Sequence, residues 1–335
     1  MGLYVHHPSS YEHDTGGHPE NAGRLRAIEA ELERREWLGL RRVEAPAARR
    51  EQLLRVHELD YVRAIEAFCV KGGGMIDADT VVSERSFDAA LHAAGGAAWA
   101  AEELLGGSDR FALCALRPPG HHAERARAMG FCILNNLAVA VAHALEVGGA
   151  ERVLVVDWDV HHGNGTEAIF ASSSEVLYAS IHQWPLYPGT GPASYEGEGP
   201  GLGFTLNLPV APGAGNDEFC ALIEHVVAPV ARAWRPDLVA ISAGYDAHRE
   251  DPLADCLVDE RGYATMAATV RLVADELDVP ILVCLEGGYA MAALARSVAA
   301  TIIALDGDAQ PQPADPAAAG DHLERVGRFA ALAGR

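Results

Sequence analysis

Residues 153–165 read Val-Leu-Val-Val-Asp-Trp-Asp-Val-His-His-Gly-Asn-Gly. A β-branched apolar run ends in alternating Asp157, Asp159 and His161. Side chains alternate across a strand with period two, so these three point to one side where the strand runs out. Two carboxylates and an imidazole on one side are too polar to bury without a partner. A divalent metal that accepts nitrogen and oxygen ligands is the simplest partner. A solvated acidic loop rarely follows so apolar a strand in so ordered a pattern.

Three more apolar runs end in chemistry. Phe111–Leu116 leads into Arg117-Pro118-Pro119-Gly120-His121-His122. Leu238–Ser242 leads into Ala243-Gly244-Tyr245-Asp246, and Ile281–Leu285 leads into Glu286-Gly287-Gly288-Tyr289. Each is a short strand of buried type followed by a polar, Gly-rich turn. Ligands of an open parallel α/β sheet bind just beyond the carboxyl ends of its strands. Four such ends would gather Asp159, His161, Asp246, His121, His122 and Tyr289 around one site.

These strands need a frame. A strand is expected at Gly2–His6 and a short one at Arg41–Val43. Helices are expected at Pro19–Glu36, where Leu25, Ile28 and Leu32 recur at spacings of three and four, and at Leu59–Val70 and Ser86–Leu105. Beyond residue 111 strands (111–116, 152–158, 176–182, 204–208, 237–242, 280–285) alternate with helices (135–147, a short one from Gly165, 217–233, 260–276, 290–304). Such alternation predicts an α/β fold, a parallel sheet with helices on both faces. The Gly- and Pro-rich stretch Trp184–Gly203 reads as a loop near the site. Residues 306–320, rich in Ala, Pro and Asp, read as a mobile linker to a last helix. The motifs spread along all 335 residues yet must converge, which favours a single domain, 1–335.

Composition narrows the class. No apolar run reaches the ~18 residues of a membrane span, and the first residues lack the basic and apolar regions of a secretory signal. The six cysteines show no C-x-x-C spacing and read as buried, reduced thiols of a cytoplasmic protein. A net charge of −21 argues against nucleic acid and for cationic partners. Homo-oligomerisation stays open.

At these motifs the chain resembles the zinc-dependent histone deacetylase family, which shares its fold with arginase. The wording is most similar to the class II branch and its bacterial relatives, the deacetylase-like amidohydrolases. The matching segments are Gly16–Glu20 with Arg24, Arg117–Asn136, Asp157–Gly165, Tyr187–Gly191, Ser242–Pro252 and Leu285–Tyr289. The resemblance implies a three-layer α/β/α arginase/deacetylase fold with a central eight-stranded parallel sheet. It implies zinc, one per chain, on Asp159, His161 and Asp246. Three protein ligands leave a position open, as catalytic rather than structural zinc sites do.

The resemblance also implies roles. His122 is general base and then general acid, and His121 acts electrostatically. Asp157 partners His121, and Asn164 partners His122, an Asn there being a class II trait. Tyr289 stabilises the oxyanion. Phe131 and Tyr187, with Gly130 and Leu253, line a tunnel for an acylated methylene chain. Asp79 is either a rim carboxylate that grips substrate backbone or a plain turn residue. Arg24 lies near the acetate exit. Structural K⁺ or Na⁺ is implied at two positions, one at Asp157, Asp159, His161, Ser180 and Ile181, the other at Phe170, Ser173, Val176 and Phe204.

The reaction so implied is hydrolysis of an acyl amide by metal-activated water. The substrate is an acylated lysine in a protein or peptide, with an acetylated polyamine as the alternative. The position seven residues after Asp246, where some polyamine enzymes carry a gatekeeper Glu, is Leu253. An arginase-like two-metal enzyme would need more bridging carboxylates than this run offers. An inactive acyl-lysine-binding module is disfavoured by the intact Tyr289, His121 and His122.

Overall fold

The structure is a computed structural model describing residues 2–107, 109–307 and 310–333. Its strands are β1 (Gly2–His6), β2 (Arg41–Glu44), β3 (Gly73–Met75), β4 (Val81–Ser83), β5 (Phe111–Cys114), β6 (Val153–Asp157), β7 (Val176–Gln183), β8 (Thr205–Val210), β9 (Leu238–Ala243) and β10 (Ile281–Leu285). Eight of them form one sheet in the order β2-β1-β5-β10-β9-β6-β7-β8, and every pairing is parallel. The four strands that end in chemistry, β5, β10, β9 and β6, are thus consecutive neighbours at the centre.

Their composition follows from that position. A central parallel strand is covered on both faces, so it reads as a continuous apolar run. All residues of β5, β6, β9 and β10 are buried. Alternate residues feed two cores. Leu154 and Val156 of β6 join Ile241 and Leu285 against one helical layer, which includes residues of Gly23–Arg34, Glu260–Leu277 and Met291–Asp306. Val153 and Val155 join Ala240 and Leu282 against the other, from Ser86–Leu105 and Asn136–Glu146. The result is three layers, α/β/α, as expected.

Differences from expectation have local causes. The first long helix begins at Gly23 because His18–Asn21 is tied in a turn: the His18 imidazole accepts from Glu20 N and the Asn21 amide donates to His18 O. The expected helix 217–233 is divided into Asn216–Leu222, a π-helical turn Ile223–Val227, and Ala228–Trp234. Pro229 lacks an N–H and crowds the carbonyl four residues back, and a wider turn accommodates both effects. The β3–β4 hairpin and the helices Ser9–Glu12 and Arg50–Leu54 are too short to leave a periodic signal.

The expected linker at 306–320 is a correction. Asp306 still belongs to the preceding helix, and Pro316–Leu323 forms a 3₁₀ helix capped by Asp315. Ala314 hydrogen-bonds Glu224 through its N–H and His225 through its carbonyl, at 2.8 and 2.9 Å, and Ala319 is buried. Residues 308 and 309 lie outside the described residues; of the rest, Ala314, Ala318 and buried Ala319 pack against the core while Pro316 and Ala317 stay exposed. The last helix, Glu324–Ala333, packs Phe329 edge-on against Phe204.

Candidate active site and metal centre

Beyond the end of β6, Asp159 and His161 meet Asp246 from the end of β9. Ligand atoms of the three lie within 4.8 Å of one another. His161 Nδ1 stands 3.2 Å from Asp159 Oδ1 and 3.1 Å from Asp246 Oδ2. The outer carboxylate oxygens are held by backbone: Gly287 N–H donates to Asp159 Oδ2 at 2.8 Å and Val160 N–H to Asp246 Oδ1 at 3.0 Å. The carboxylates can approach only because their neighbours lack side chains. A Cβ on Gly244 would lie 2.0 Å from Asp159 Oδ2, and one on Gly287 would lie 2.1 Å from Asp246 Oδ2.

Burial and the neighbouring charges set the protonation here. Burial and the Asp159 charge push the Asp246 carboxyl well above the usual carboxylate range. Burial alone would lower the His161 imidazole, but Asp159 and Asp246 outweigh it and raise it to about 10.

His121 and His122 follow the Pro118-Pro119-Gly120 turn beyond β5, their rings 4.0 Å apart. His121 Nδ1 lies 3.2 Å from Asp157 Oδ2 and its Nε2 3.8 Å from Asp159 Oδ1. Burial opposes its charge, yet Asp159 and Asp157 prevail and raise it to about 10. His122 Nδ1 instead faces the neutral Asn164 Oδ1 at 2.9 Å. Burial, and then the charges of His121 and His161, hold His122 well below its ordinary value.

These groups floor a cavity of about 210 Å³ lined by Asp79, His121, His122, Gly130, Phe131, His161, Leu186, Tyr187, Leu253 and Tyr289, among others. Tyr187 stands edge-on to His122 at 5.2 Å, and Phe131 edge-on to Tyr289 at 5.7 Å. Gly130, at φ +55°, must be bare because a Cβ there would lie 2.4 Å from the His122 ring. Burial pushes the Tyr289 phenol upward despite Arg24, whose guanidinium carbon lies 5.0 Å from the ring centroid, so it remains an O–H donor.

The comparisons with known proteins fit this geometry. The histone deacetylase domain family matches residues 18–305. The chain belongs to the histone deacetylase family. A probable deacetylase of Methanothermobacter thermautotrophicus is 42% identical over 333 residues, 98% of each chain. A histone deacetylase-like amidohydrolase of Pseudomonas aeruginosa is 38% identical over 294 residues, 87% of this chain and 76% of that one. The crystal structure of the HDA15 HD domain superposes with a TM-score of 0.91 at 36% identity, covering all of this chain and 96% of that one. The fold is that of histone deacetylases, and the chain is a hydrolase of the deacetylase type with candidate metal ligands in place.

The structure gathers the expected His121, His122, His161, Tyr289, Phe131, Tyr187, Gly130 and Leu253 around the cavity, with Asp157, Asp159, Asn164 and Asp246 against them. Asp79 lines the cavity, while the turn is held by Asp77, whose Oδ1 accepts from Asp79 N and Thr80 N. Ser180 and Ile181 are buried on β7, Ser180 paired in register with Asp157. Phe170, Ser173, Val176 and Phe204, the second expected cation group, lie toward the other end of the strands, at or just before the starts of β7 and β8. Among the described residues no helix is long and apolar enough to cross a membrane, and the six cysteines are buried and unpaired.

Several supporting groups escaped the sequence reading. Glu286 is buried, accepts from Gly120 N and His121 N at 2.7 and 3.1 Å, and is pushed up to about 7 by burial. Its signal was present: an acid directly after an apolar strand, as at Asp157. Asp251 accepts from Tyr289 N and Ala290 N at 2.6 and 3.1 Å and so fixes the tyrosine's turn. Tyr178 donates to Asp157 Oδ2 at 3.1 Å. Buried Glu20 joins Arg24 and Arg117 behind the site. Glu20 and Asp251 lie within matching segments but carried no role there, and Tyr178 gave no signal, since its carboxylate partner is on the neighbouring strand.

Proposed function

We propose that this chain is a zinc-dependent amidohydrolase that removes acetyl or other short acyl groups from acylated lysine side chains. The observation behind it is the meeting of Asp159, His161 and Asp246 with His122 and Tyr289 at the floor of one narrow, aromatic-walled cavity. The donor set fits zinc: two carboxylates and one imidazole, turned toward each other, with glycines where side chains would intrude. Like charges held this close call for a cation between them. Bound there, zinc would polarise an amide carbonyl and lower the pKa of water.

The protein's own groups supply the rest. Neutral His122 accepts the proton of the attacking water and returns it to the leaving amine. His121, charged beside Asp157, contributes positive potential without taking part in transfer. The Tyr289 hydroxyl donates to the carbonyl oxygen as negative charge develops there, and Asp251 keeps it aimed. Phe131 and Tyr187 exclude water from an uncharged methylene chain, and Leu253 leaves the mouth without a charged gate. Asp79 can accept from substrate backbone at the rim. Structural K⁺ or Na⁺ at the two positions that the resemblance implies is part of this reading. So are an acylated protein or peptide as partner and a cytoplasmic setting, with no nucleic acid.

An acetylated polyamine is the second reading, favoured by Asp79 at the mouth and by the net charge of −21. A panel of acetyl-lysine peptides, longer acyl-lysines and acetylated polyamines, ranked by kcat/KM, decides. Acyl-lysine peptides are expected to lead. Acetylspermidine turned over far better than every peptide would make the second reading the better one.

A further inference from the structure

The two histidines are held by unlike partners, and the difference creates a requirement. An ionised Asp157 can only accept, so it selects Nδ1–H on His121. Asn164 offers either a carbonyl oxygen or an amine, and rotation by half a turn exchanges them. Only with Oδ1 toward His122 is Nδ1 the protonated nitrogen and Nε2 left bare to act as a base. With the amide reversed, Nδ1 would have to accept, Nε2 would carry the proton, and the base would be lost.

We propose that Glu124 is a positioning residue that sets this amide and, through it, the tautomer of His122. Asn164 Nδ2 donates to Glu124 Oε1 at 2.8 Å, while Met129 Sδ and His122 O lie at 3.4 and 3.5 Å on the same side. Three acceptors gather around the amine and none can donate to an oxygen placed there. Glu124 is the closest and the charged one, so reversal would set a carbonyl oxygen against a carboxylate. The other side-chain hydrogen bond of Asn164 is the 2.9 Å bond of its Oδ1 with His122 Nδ1. Glu124 is itself placed by its backbone: its N–H donates to Arg127 O at 2.9 Å and its carbonyl faces His57 Nδ1 at 3.0 Å. Substitution of its side chain leaves both bonds intact. Glu124 stands two residues after His122, so the turn that delivers the base also delivers the group that orients it.

This rests on His122 as the base, and the tests separate the two claims. Nitrogen-15 NMR of histidine-labelled protein reads the tautomer whether or not the enzyme turns over. Neutral His122 is expected to carry its proton on Nδ1 in the wild type. Glu124→Met, close in shape but without an acceptor, should populate the Nε2–H form and lower kcat about 10- to 100-fold, the usual range for a supporting partner, with KM within about twofold. Glu124→Gln keeps an acceptor and should stay within about threefold of wild type. Asn164→Asp accepts through either oxygen, so adding Glu124→Met to it should change kcat less than about twofold. An Nε2–H tautomer in the wild type overturns the proposal. So does an unchanged tautomer in Glu124→Met, equal loss in the Gln and Met variants, or an undiminished loss in the Asn164→Asp background.

Discussion

His121 and His122 are neighbours in the chain with opposite electrostatics, and their partners decide which is which. Asp157 lends His121 a full negative charge, and Asn164 lends His122 only a dipole. Tyr289 completes the set as a donor that stays protonated. Tyr289→Phe should therefore retain zinc and lose roughly 10²–10³ in kcat, the worth of one oxyanion donor; metal analysis and steady-state kinetics check it, and loss of zinc would make Tyr289 a structural element instead. The proposed zinc ligands set a pH dependence whose sign follows from His161. Zinc takes a neutral imidazole, yet in the metal-free protein Asp159 and Asp246 raise His161 to about 10. Below that pH a proton must leave as zinc enters, so zinc affinity should rise about tenfold per pH unit between 7 and 9. Competition with a chelator of known affinity would show it, and a flat profile would mean that His161 is already neutral.

Four strand ends make the site, and these were the parts most legible beforehand. A continuous apolar run followed by an Asp, His, Glu or Gly turn marks a central parallel strand whose end is exposed to a ligand. That pattern alone places Asp159, His161, Asp246, His121, His122 and Tyr289 together. The roles of Asp251 and Tyr178 were not legible, because a hydrogen bond to a partner distant in the chain, backbone for one and carboxylate for the other, leaves no periodicity. The end of the 306–320 segment differs for a related reason: its composition suits a linker, but Asp315 caps a 3₁₀ helix over Pro316–Leu323 and Ala314 is tied to Glu224 and His225. The strand-end glycines are as necessary as the ligands. Gly287→Ala would set a methyl 2.1 Å from Asp246 Oδ2 and 2.6 Å from Asp159 Oδ2. It should weaken zinc at least about tenfold, as loss of a ligand's support does. A zinc titration reads the effect, and unchanged affinity would mean that the strand end moves freely.

Across the whole molecule, charge and shape pull substrate choice in different directions. The net charge of −21 draws cations to the surface, while at the cavity Phe131, Tyr187 and Leu253 offer nothing to pair with one and leave Asp79 to do so. The expected compromise is attraction of a basic protein or peptide whose acylated side chain alone enters. Leu253→Glu should shift the ratio of kcat/KM toward acetylated polyamines by about tenfold, one charge pair at a partly exposed mouth; no shift would place the selecting residues elsewhere. The central claim is simpler and has a direct test: zinc added stepwise to metal-free protein while hydrolysis of an acetyl-lysine peptide is followed. Activity should rise linearly and level off at one zinc per chain, and Asp246→Ala should stay inactive throughout. Full turnover by the zinc-free protein, or by Asp246→Ala, would contradict the account.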